Sequence, residues 1–205
     1  MMEETDRQQH GSLKGTKRQI IDVARRLFSD RSYLGVSMSD IAKRLGVTKA
    51  ALYHHFAGKS DIYHSVLDDV LADLRARLCE ERYGETLDEQ LHRMVKDYMG
   101  FGMREKNLVN ALVVKLPPAE TELNQQVAPL KEELDGYFLP VIERAIEQGR
   151  LPDGVDGHLA TTMLTALMDG LILGRSFLGK PLDPDTVSNQ ILVFLGLSGW
   201  PEQCF

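Results

Sequence analysis

The sequence has little of what several classes of protein require. Only 2 of its 205 residues are cysteines, and Cys79 and Cys204 lie far apart without a CxxC or a Cys/His cluster, so we expect neither a disulfide framework nor a structural zinc site. The most apolar stretch, residues 163–173, is interrupted by Asp169 and Gly170 and is too short to span a bilayer. Residues 1–17 are polar and lack the apolar core of a signal peptide. These absences predict a cytoplasmic protein that does not enter a membrane.

Catalytic and metal-binding motifs are also missing. The sequence contains no GxSxG, no P-loop, no GxGxxG after a strand and no HExxH, so an enzyme is not indicated and no cofactor is expected. His54, His55 and His64 do not predict a metal site, because adjacent histidines point to different faces of a helix and no carboxylate or cysteine completes a set. The function therefore has to be sought in binding rather than in catalysis.

Helical periodicity is present in nearly every segment, whereas strand-like alternation is not, so the fold class should be all-α. Three capping boxes, at residues 16–19, 37–40 and 86–89, predict helix starts. Further starts are predicted at Thr48, Lys59, Asp156 and Asp183. The predicted helices span residues 17–29, 37–45, 48–55, 59 onward, 86–103, 107–116, 119–148 with interruptions near Pro129 and Pro140, 156–178 and 183–197.

Charge is distributed unevenly along the chain. Residues 1–60 carry 11 Lys and Arg against 6 Asp and Glu, whereas residues 61–205 carry 13 against 24, within a net charge of −6. A basic segment attached to an acidic body is typical of a small module that approaches phosphates. We divide the chain into a flexible arm over residues 1–13, a compact module over 14–74 and a larger body over 75–205.

Residues 37–59 contain two short predicted helices joined by a turn at Gly46, which is the pattern of a helix-turn-helix over about 37–56. In such a motif the second helix enters the major groove of DNA, and flanking residues hold phosphates. Leu52 and Phe56 should face the core of the module. The side chains available for DNA contact are one cation, two small residues and three hydrogen-bonding rings: Lys49, Ala50, Ala51, Tyr53, His54 and His55.

These residues resemble the TetR-type family of bacterial transcription regulators. The resemblance is detailed over residues 14–74, and its most specific part is the string LYHHF at 52–56 followed by Lys59. Leu27 with Phe28, Gly35 and the stretches 37–42 and 45–47 also belong to it. Over the rest of the chain the resemblance is one of architecture only, that of an all-helical body. It implies a DNA-binding domain followed by an effector-binding and dimerisation domain.

The resemblance implies a DNA contact at each matching position. Ser37 and Thr48 would hold phosphates at helix N-termini, Lys49 would reach a phosphate or a base, and Lys59 would contact a further phosphate. An alternative is that Ser37 and Thr48 are helix caps only and that Tyr53 is a purely structural aromatic residue. The remaining implied contacts are Tyr53 against the DNA backbone, His54 and His55 at phosphates or base edges, and Ala50, a small residue where the family often has glycine.

The two C-terminal helices are predicted to form a dimer interface. The helix over residues 156–178 is apolar nearly all round, and the helix over 183–197 is also rich in apolar residues. Such helices are usually buried on two sides, which predicts a four-helix bundle across a two-fold axis, and the family resemblance places the interface there too. The alternative is that the pair completes the core of a monomer. The candidate interface residues are Leu171, Phe177, Ile191, Phe194 and Leu195.

Flexible and aromatic side chains recur on helices of the body that should converge, which predicts a pocket for an apolar small-molecule effector. The family's regulatory pockets lie among the corresponding helices. Ordinary core packing is the competing interpretation for each of these residues. Asp169 and Arg175 are either a polar ligand grip or part of an interhelical ion pair. The candidate lining residues are Met94, Tyr98, Phe101, Leu112, Tyr137, Val141, Met163 and Leu167.

The sequence thus predicts a repressor that binds a palindromic operator in double-stranded DNA as a homodimer and is released by its effector. Two other classes compete with this prediction: a ligand-binding coactivator that keeps the fold without binding DNA, and a small helical enzyme. The combination of Lys49, Tyr53 and Lys59 argues against the coactivator. The missing catalytic motifs argue against the enzyme.

Overall fold

The computed structural model describes residues 2–80, 85–105, 107–108, 121–178 and 182–196, and these residues form helices and turns without a strand. The all-α prediction is therefore confirmed. Among the described residues, no helix is both long enough and apolar enough to cross a bilayer. The helices are α1 (Met2–Arg31), α2 (Met38–Leu45), α3 (Lys49–Tyr53), α4 (Lys59–Leu78), α5 (Leu87–Arg104), α6 (Thr121–Gly136), α7 (Leu139–Glu147), α8 (Gly157–Leu178) and α9 (Pro184–Phe194).

The first helix begins earlier than predicted. Its helical backbone starts at Met2, so Thr16 lies inside α1 and the predicted capping box with Gln19 is wrong. Residues 2–13 of the expected arm are correspondingly helical in this structure. The physical reason is that Glu3, Glu4 and other good helix formers fill the first turns, and acidic residues near the positive end of a helix stabilise it. Two glycines in this segment do not offset that preference.

Three other predicted helix starts are confirmed, because each is made by residues only three apart. The Ser37 hydroxyl accepts the backbone N–H of Asp40 at 3.2 Å, and the Asp40 carboxylate accepts the N–H of Ser37 at 2.8 Å. Thr86 and Glu89 form the same reciprocal box at the start of α5. Thr48 caps α3 through the N–H of Ala51 at 3.2 Å. These hydrogen bonds satisfy backbone donors that a helix leaves unpaired at its N-terminus.

The predicted interruption at Pro129 is wrong. Pro129 lies inside α6, where its missing N–H removes one backbone hydrogen bond without ending the helix. The chain instead turns between Gly136 and Leu139, and Pro140 then lies in the first turn of α7, where its fixed φ is favourable. Most of the helix predicted over 107–116 lies outside the described residues.

One apolar core runs through the described part of the molecule. In the N-terminal module, the rings of Phe28 and Tyr33 each lie 4.8 Å from the ring of Tyr63. Helix α4 extends this core into the body through a series of buried residues one turn apart, as its periodicity predicts. The module and the body therefore share α4 as a structural element. The series consists of Ile62, Val66, Val70 and Leu74.

Candidate nucleic-acid interface and ligand site

Helix α3 separates buried from exposed residues as a recognition helix must. Leu52 and Phe56 are buried against the module's core, as predicted. Tyr53 projects outward with 55% of its surface exposed, and Lys49 is exposed on the same short helix. Thr48, Ala50 and His54 are also exposed, and His55 is half-buried.

The N-terminus of α2 is less suited to a phosphate than the sequence suggested. The one donor of the Ser37 hydroxyl is used locally, because it donates to the Asp40 carboxylate at 2.5 Å and so is not available to a phosphate. Hydrogen bonds from the Ser37 hydroxyl and backbone N–H lower the pKa of Asp40, so this carboxylate is ionised at neutral pH. An anionic group in the first turn competes with phosphate for the positive helix end. The geometry of Ser37 is therefore that of a cap.

Lys59 is engaged within the module. Its Nζ donates to the backbone oxygen of Tyr33 at 3.2 Å and lies 3.9 Å from the centroid of the Tyr33 ring. A second cation, Lys17 of α1, lies 5.0 Å from the centroid of the Phe56 ring, at the end of the helix-turn-helix. Sequence reasoning missed Lys17 because its position beside Phe56 depends on how α1 packs. The only local signal was a basic residue one turn before the first buried position of α1.

A cleft of about 700 Å³ lies in the body where α5, α6 and α7 meet the C-terminal end of α4. Three predicted lining residues, Met94, Tyr137 and Val141, border it together with Leu78. This volume lies within the range of small-molecule sites, roughly 300–1,000 Å³. Sequence reasoning missed the polar residues of the cleft, because an exposed polar residue on a helix carries no sign of what it faces. These residues include Glu85, Gln90, Glu143, Arg144 and Glu147.

Four of the other predicted lining residues do not border this cleft. Tyr98 and Phe101 are buried in the core, and Leu167 is half-buried against it. Met163 is 57% exposed on the outer face of α8, so its assignment to the interior is wrong. Its neighbour Leu164 is the residue that α8 turns into the core. Leu112 lies outside the described residues.

A buried polar cluster joins α5, α6 and α8. The Tyr98 hydroxyl donates to Asp169 Oδ1 at 2.7 Å, and Lys131 Nζ lies 3.1 Å from Asp169 Oδ2. Burial and the neighbouring Asp169 carboxylate raise the pKa of Tyr98 well above its ordinary value. Asp169 therefore takes part in an interhelical ion pair, with Lys131 as the cation. The side chain of Arg175 lies outside the described residues.

The outer face of α8 is apolar and uncovered in the single chain. Leu159, Met163, Ala166 and Gly170 are exposed at helical spacing along it, and Phe194 at the end of α9 is 77% exposed. Of the other predicted interface residues, Leu171 and Leu195 are half-buried against the core, and the side chain of Phe177 is not among those described.

The prediction for Ile191 is wrong. This side chain is only 3% exposed, because α9 packs it into the protomer's own core, whereas Phe194 on the same helix points outward.

A helical body joined to a helix-turn-helix module with an exposed, cation-bearing second helix defines a DNA-binding transcription regulator. Residues 20–66 match the family model for bacterial regulatory proteins of the tetR family. The fatty acid metabolism regulator protein of Bacillus subtilis is 25% identical over 86% of this chain and 92% of its own length. The transcriptional regulator TtgR of Pseudomonas putida is 28% identical over 77% of this chain and 78% of its own.

Solved structures share the fold. The FadR regulator of Bacillus subtilis in complex with stearoyl-CoA has a TM-score of 0.69 and 22% identity, covering 87% of this chain and 96% of that one. The module over residues 20–66 is therefore that of the tetR family of bacterial regulatory proteins. These two relatives are named as regulators rather than as enzymes.

Proposed function

We propose that this chain is a homodimeric transcriptional repressor that leaves a palindromic operator when a small, largely apolar effector binds to its body. The observation that carries the proposal is the division of α3 into a buried side, Leu52, and an exposed side with Lys49 and Tyr53. Surface helices commonly have an exposed side, but the second helix of a helix-turn-helix that exposes a cation and a tyrosine carries side chains that a recognition helix needs in the major groove. A regulator of bacterial genes works in the cytoplasm, where its operator lies.

In the proposed complex, Lys49 contacts a phosphate or a base edge and Tyr53 packs against the DNA backbone. His54 and His55 extend this surface toward phosphates or bases, and Ala50 allows the helix to approach closely. Thr48 adds a phosphate contact to its role as a cap, because the first turn of α3 carries no acidic residue that would repel DNA. Ser37 and Lys59, which are engaged within the module, contribute mainly by fixing α2 and α4 beside the DNA.

Dimerisation covers the outer face of α8 and the end of α9. Leu159, Met163 and Phe194 are large apolar side chains that stand more than half exposed in the single chain. Large apolar side chains exposed in this way are typical of an interface. The exposed Ala166 and Gly170 on α8 allow two copies of this helix to approach closely across a two-fold axis. Two recognition helices are then set to enter successive major grooves.

The effector is proposed to occupy the cleft bounded by α5, α6 and α7. Leu78, Met94 and Val141 give it an apolar floor, whereas Glu143, Arg144 and Glu147 bring charges to the lining. The solved relative from Bacillus subtilis contains stearoyl-CoA, so we take long-chain acyl thioesters as the first class to test. The cleft suits the acyl chain, while the charged end has to extend toward solvent. Effector binding then favours a spacing of the two DNA-binding modules that no longer fits the operator. This requires the effector to bind the conformation with that spacing more tightly than the DNA-binding conformation.

The proposal is tested by selecting DNA from a random library with the purified protein and measuring affinity for the selected sequence between 50 and 200 mM salt. We expect a palindromic consensus and an affinity that falls steeply with salt. Stearoyl-CoA should then raise the thermal midpoint of the protein and release the DNA, whereas free coenzyme A should do neither. Failure to enrich any sequence would contradict the DNA-binding role, and release by sugars or nucleotides alone would contradict the apolar effector.

A further inference from the structure

A buried carboxylate joins the body to the DNA-binding module. Glu105 follows the last turn of α5 and is only 8% exposed. Its Oε1 accepts hydrogen bonds from Arg25 Nε at 3.0 Å and Arg25 Nη2 at 2.8 Å, and its Oε2 accepts one from the Ser29 hydroxyl at 2.5 Å. Arg25 and Ser29 lie one turn apart on α1, so a single carboxylate of the body holds the module's first helix at two points.

The next residues strengthen the same contact. Asn107 Nδ2 donates to the backbone oxygen of Ser29 at 2.5 Å, and Leu108 is buried. Two attachment points on one helix fix its rotation as well as its distance from the body. Because α1 also supplies Ile20, Phe28 and other residues to the module's core, fixing α1 fixes the module that carries α3. Charge-assisted bonds in a largely buried setting are stronger and less screened by salt than surface pairs.

Arg25 has a second set of acidic partners. Its Nη1 lies 3.2 Å from Asp73 Oδ2 and 3.5 Å from Asp69 Oδ2, both on α4. A cavity of about 180 Å³ bordered by Arg25 and Asp73 leaves room for the guanidinium to move on that side. When the Glu105 contact is lost, the half-buried Arg25 keeps its acidic partners on α4. The cost of leaving its charge unpaired is therefore avoided. The contact between body and module can open while the charge of Arg25 stays compensated.

We infer that Glu105 is a positioning residue through which the body sets the orientation of the DNA-binding module. It does not border the cleft proposed for the effector, and the inference rests on the proposed function as a dimeric DNA-binding regulator. With the Glu105 contact closed, the two modules of a dimer are held at one spacing. With it open, each module samples a wider range of orientations, and the dimer loses its preference for one separation of half-sites.

The test compares Glu105→Gln with Asp73→Asn, since each removes one charged partner of Arg25 without changing shape. The Asp73 side chain is 62% exposed, so its loss should matter little. The DNA selected by the wild-type protein is compared with versions that have one or two base pairs inserted between the half-sites. We expect Glu105→Gln to reduce the ratio of affinities between native and altered spacing by about tenfold, because a bond to a buried charged group is lost. Asp73→Asn should keep the wild-type ratio.

A purely stabilising role for Glu105 would weaken binding to every spacing equally and leave the ratio unchanged, and that result would overturn the inference. Hydrogen exchange on the protein without DNA provides a second measurement. Glu105→Gln should speed exchange of backbone amides in residues 25–31 and leave those in the middle of α5 unchanged. Equal exchange of residues 25–31 in the variant and the wild type would also overturn it.

Two further steps keep the outcomes distinct. If the wild-type protein enriches no DNA sequence, the proposed function fails, and hydrogen exchange alone decides the role of Glu105. If Glu105→Gln does not fold, as judged by circular dichroism, Ser29→Ala takes its place because it removes one of the two attachment points. A smaller change in the same direction, in spacing preference or in exchange of residues 25–31, would support the inference. The absence of any change in both measurements would contradict it.

Discussion

Gly102 of α5 lies directly against Ile172 of α8: a Cβ added to Gly102 would lie 2.2 Å from Cδ1 of Ile172 and 2.8 Å from its Cγ1. Ile172 is buried, so its side chain has little room to move. Only glycine at position 102 lets the two helices pack at this distance. The contact joins a helix that borders the ligand cleft to the helix proposed to form the dimer interface.

We expect Gly102→Ala to lower the free energy of unfolding by about 1–3 kcal/mol, because the added methyl overpacks the core. Gly100→Ala in the same helix is the matched control. Its added carbon meets the flexible end of Arg104 at 3.4 Å and Cγ of Pro184 at an ordinary contact distance of 3.9 Å, and alanine favours a helix more than glycine does. Urea unfolding of both variants measures the difference. Ile172→Val should partly restore Gly102→Ala, and equal stability of the two glycine variants would contradict this packing.

The proposed DNA contacts predict that Lys49→Ala and Tyr53→Ala each weaken operator binding by about 1–2 kcal/mol. Lys49→Ala should also lower the slope of log affinity against log salt by about one. Both side chains are exposed, so helix content should not change. Lys96→Ala is the control, since Lys96 is an exposed cation of the body paired with Asp185. Fluorescence anisotropy with labelled operator measures the affinity of all three variants. Wild-type affinity in both Lys49→Ala and Tyr53→Ala would refute the DNA interface.

The exposed apolar face predicts that Phe194→Asp and Met163→Asp each raise the dimer dissociation constant at least about a hundredfold, because a charge is then buried between protomers. Both side chains are more than half exposed in the single chain, so the monomer should stay folded. Gln148→Asp adds the same charge outside α8 and α9 and should leave association unchanged. Sedimentation equilibrium distinguishes these results. A dimer of normal strength in both variants would place the interface elsewhere.

The capping carboxylates predict an acid-sensitive stability. Hydrogen bonds from backbone N–H groups and hydroxyls of Ser37, Thr86 and Thr186 lower the pKa values of Asp40, Glu89 and Asp183. A lowered folded-state pKa means that the stabilisation is complete above the ordinary pKa, about 4, and is lost as the pH falls through the lowered value.

We therefore expect the urea midpoint to fall as the pH is lowered from about 5 to 3. Glu89→Gln keeps a residue that can complete a capping box but does not titrate, so it should show a shallower loss. An identical pH profile for wild type and Glu89→Gln would show that this cap contributes nothing to the acid sensitivity.

The sequence predicted best where structure depends on neighbours along the chain. The caps at Ser37, Thr48 and Thr86 and the buried Leu52 follow from spacings of three or four residues. It failed where a helix has two apolar faces. Met163 was predicted to lie inside the body but is exposed, and Ile191 was predicted to lie at the dimer interface but is buried in the protomer's own core. Periodicity shows that a face is apolar without showing whether the protein's own core or a partner covers it.

The contact between Arg25 and Glu105 could not be predicted for a different reason. The two residues are 80 positions apart, and both belong to types that are usually exposed. Nothing local distinguishes them from the many other charged residues on helices. The same applies to Lys131, whose pairing with Asp169 depends on how α6 lies against α8. Long-range polar contacts of this kind are decided by packing, which one-dimensional patterns do not record.

Helix α4 has a consequence for how the protein unfolds. Residues along its whole length are buried, some with α1 and others with α5 and α6, so a boundary at residue 74 divides a continuous core. A fragment that ended there would lose Leu78 and the body surfaces against which the second half of α4 packs. The two functional parts are therefore modules in their tasks but a single cooperative unit in their folding. Heat should melt them together, and damage to the ligand-binding half should reduce the amount of folded DNA-binding half in proportion.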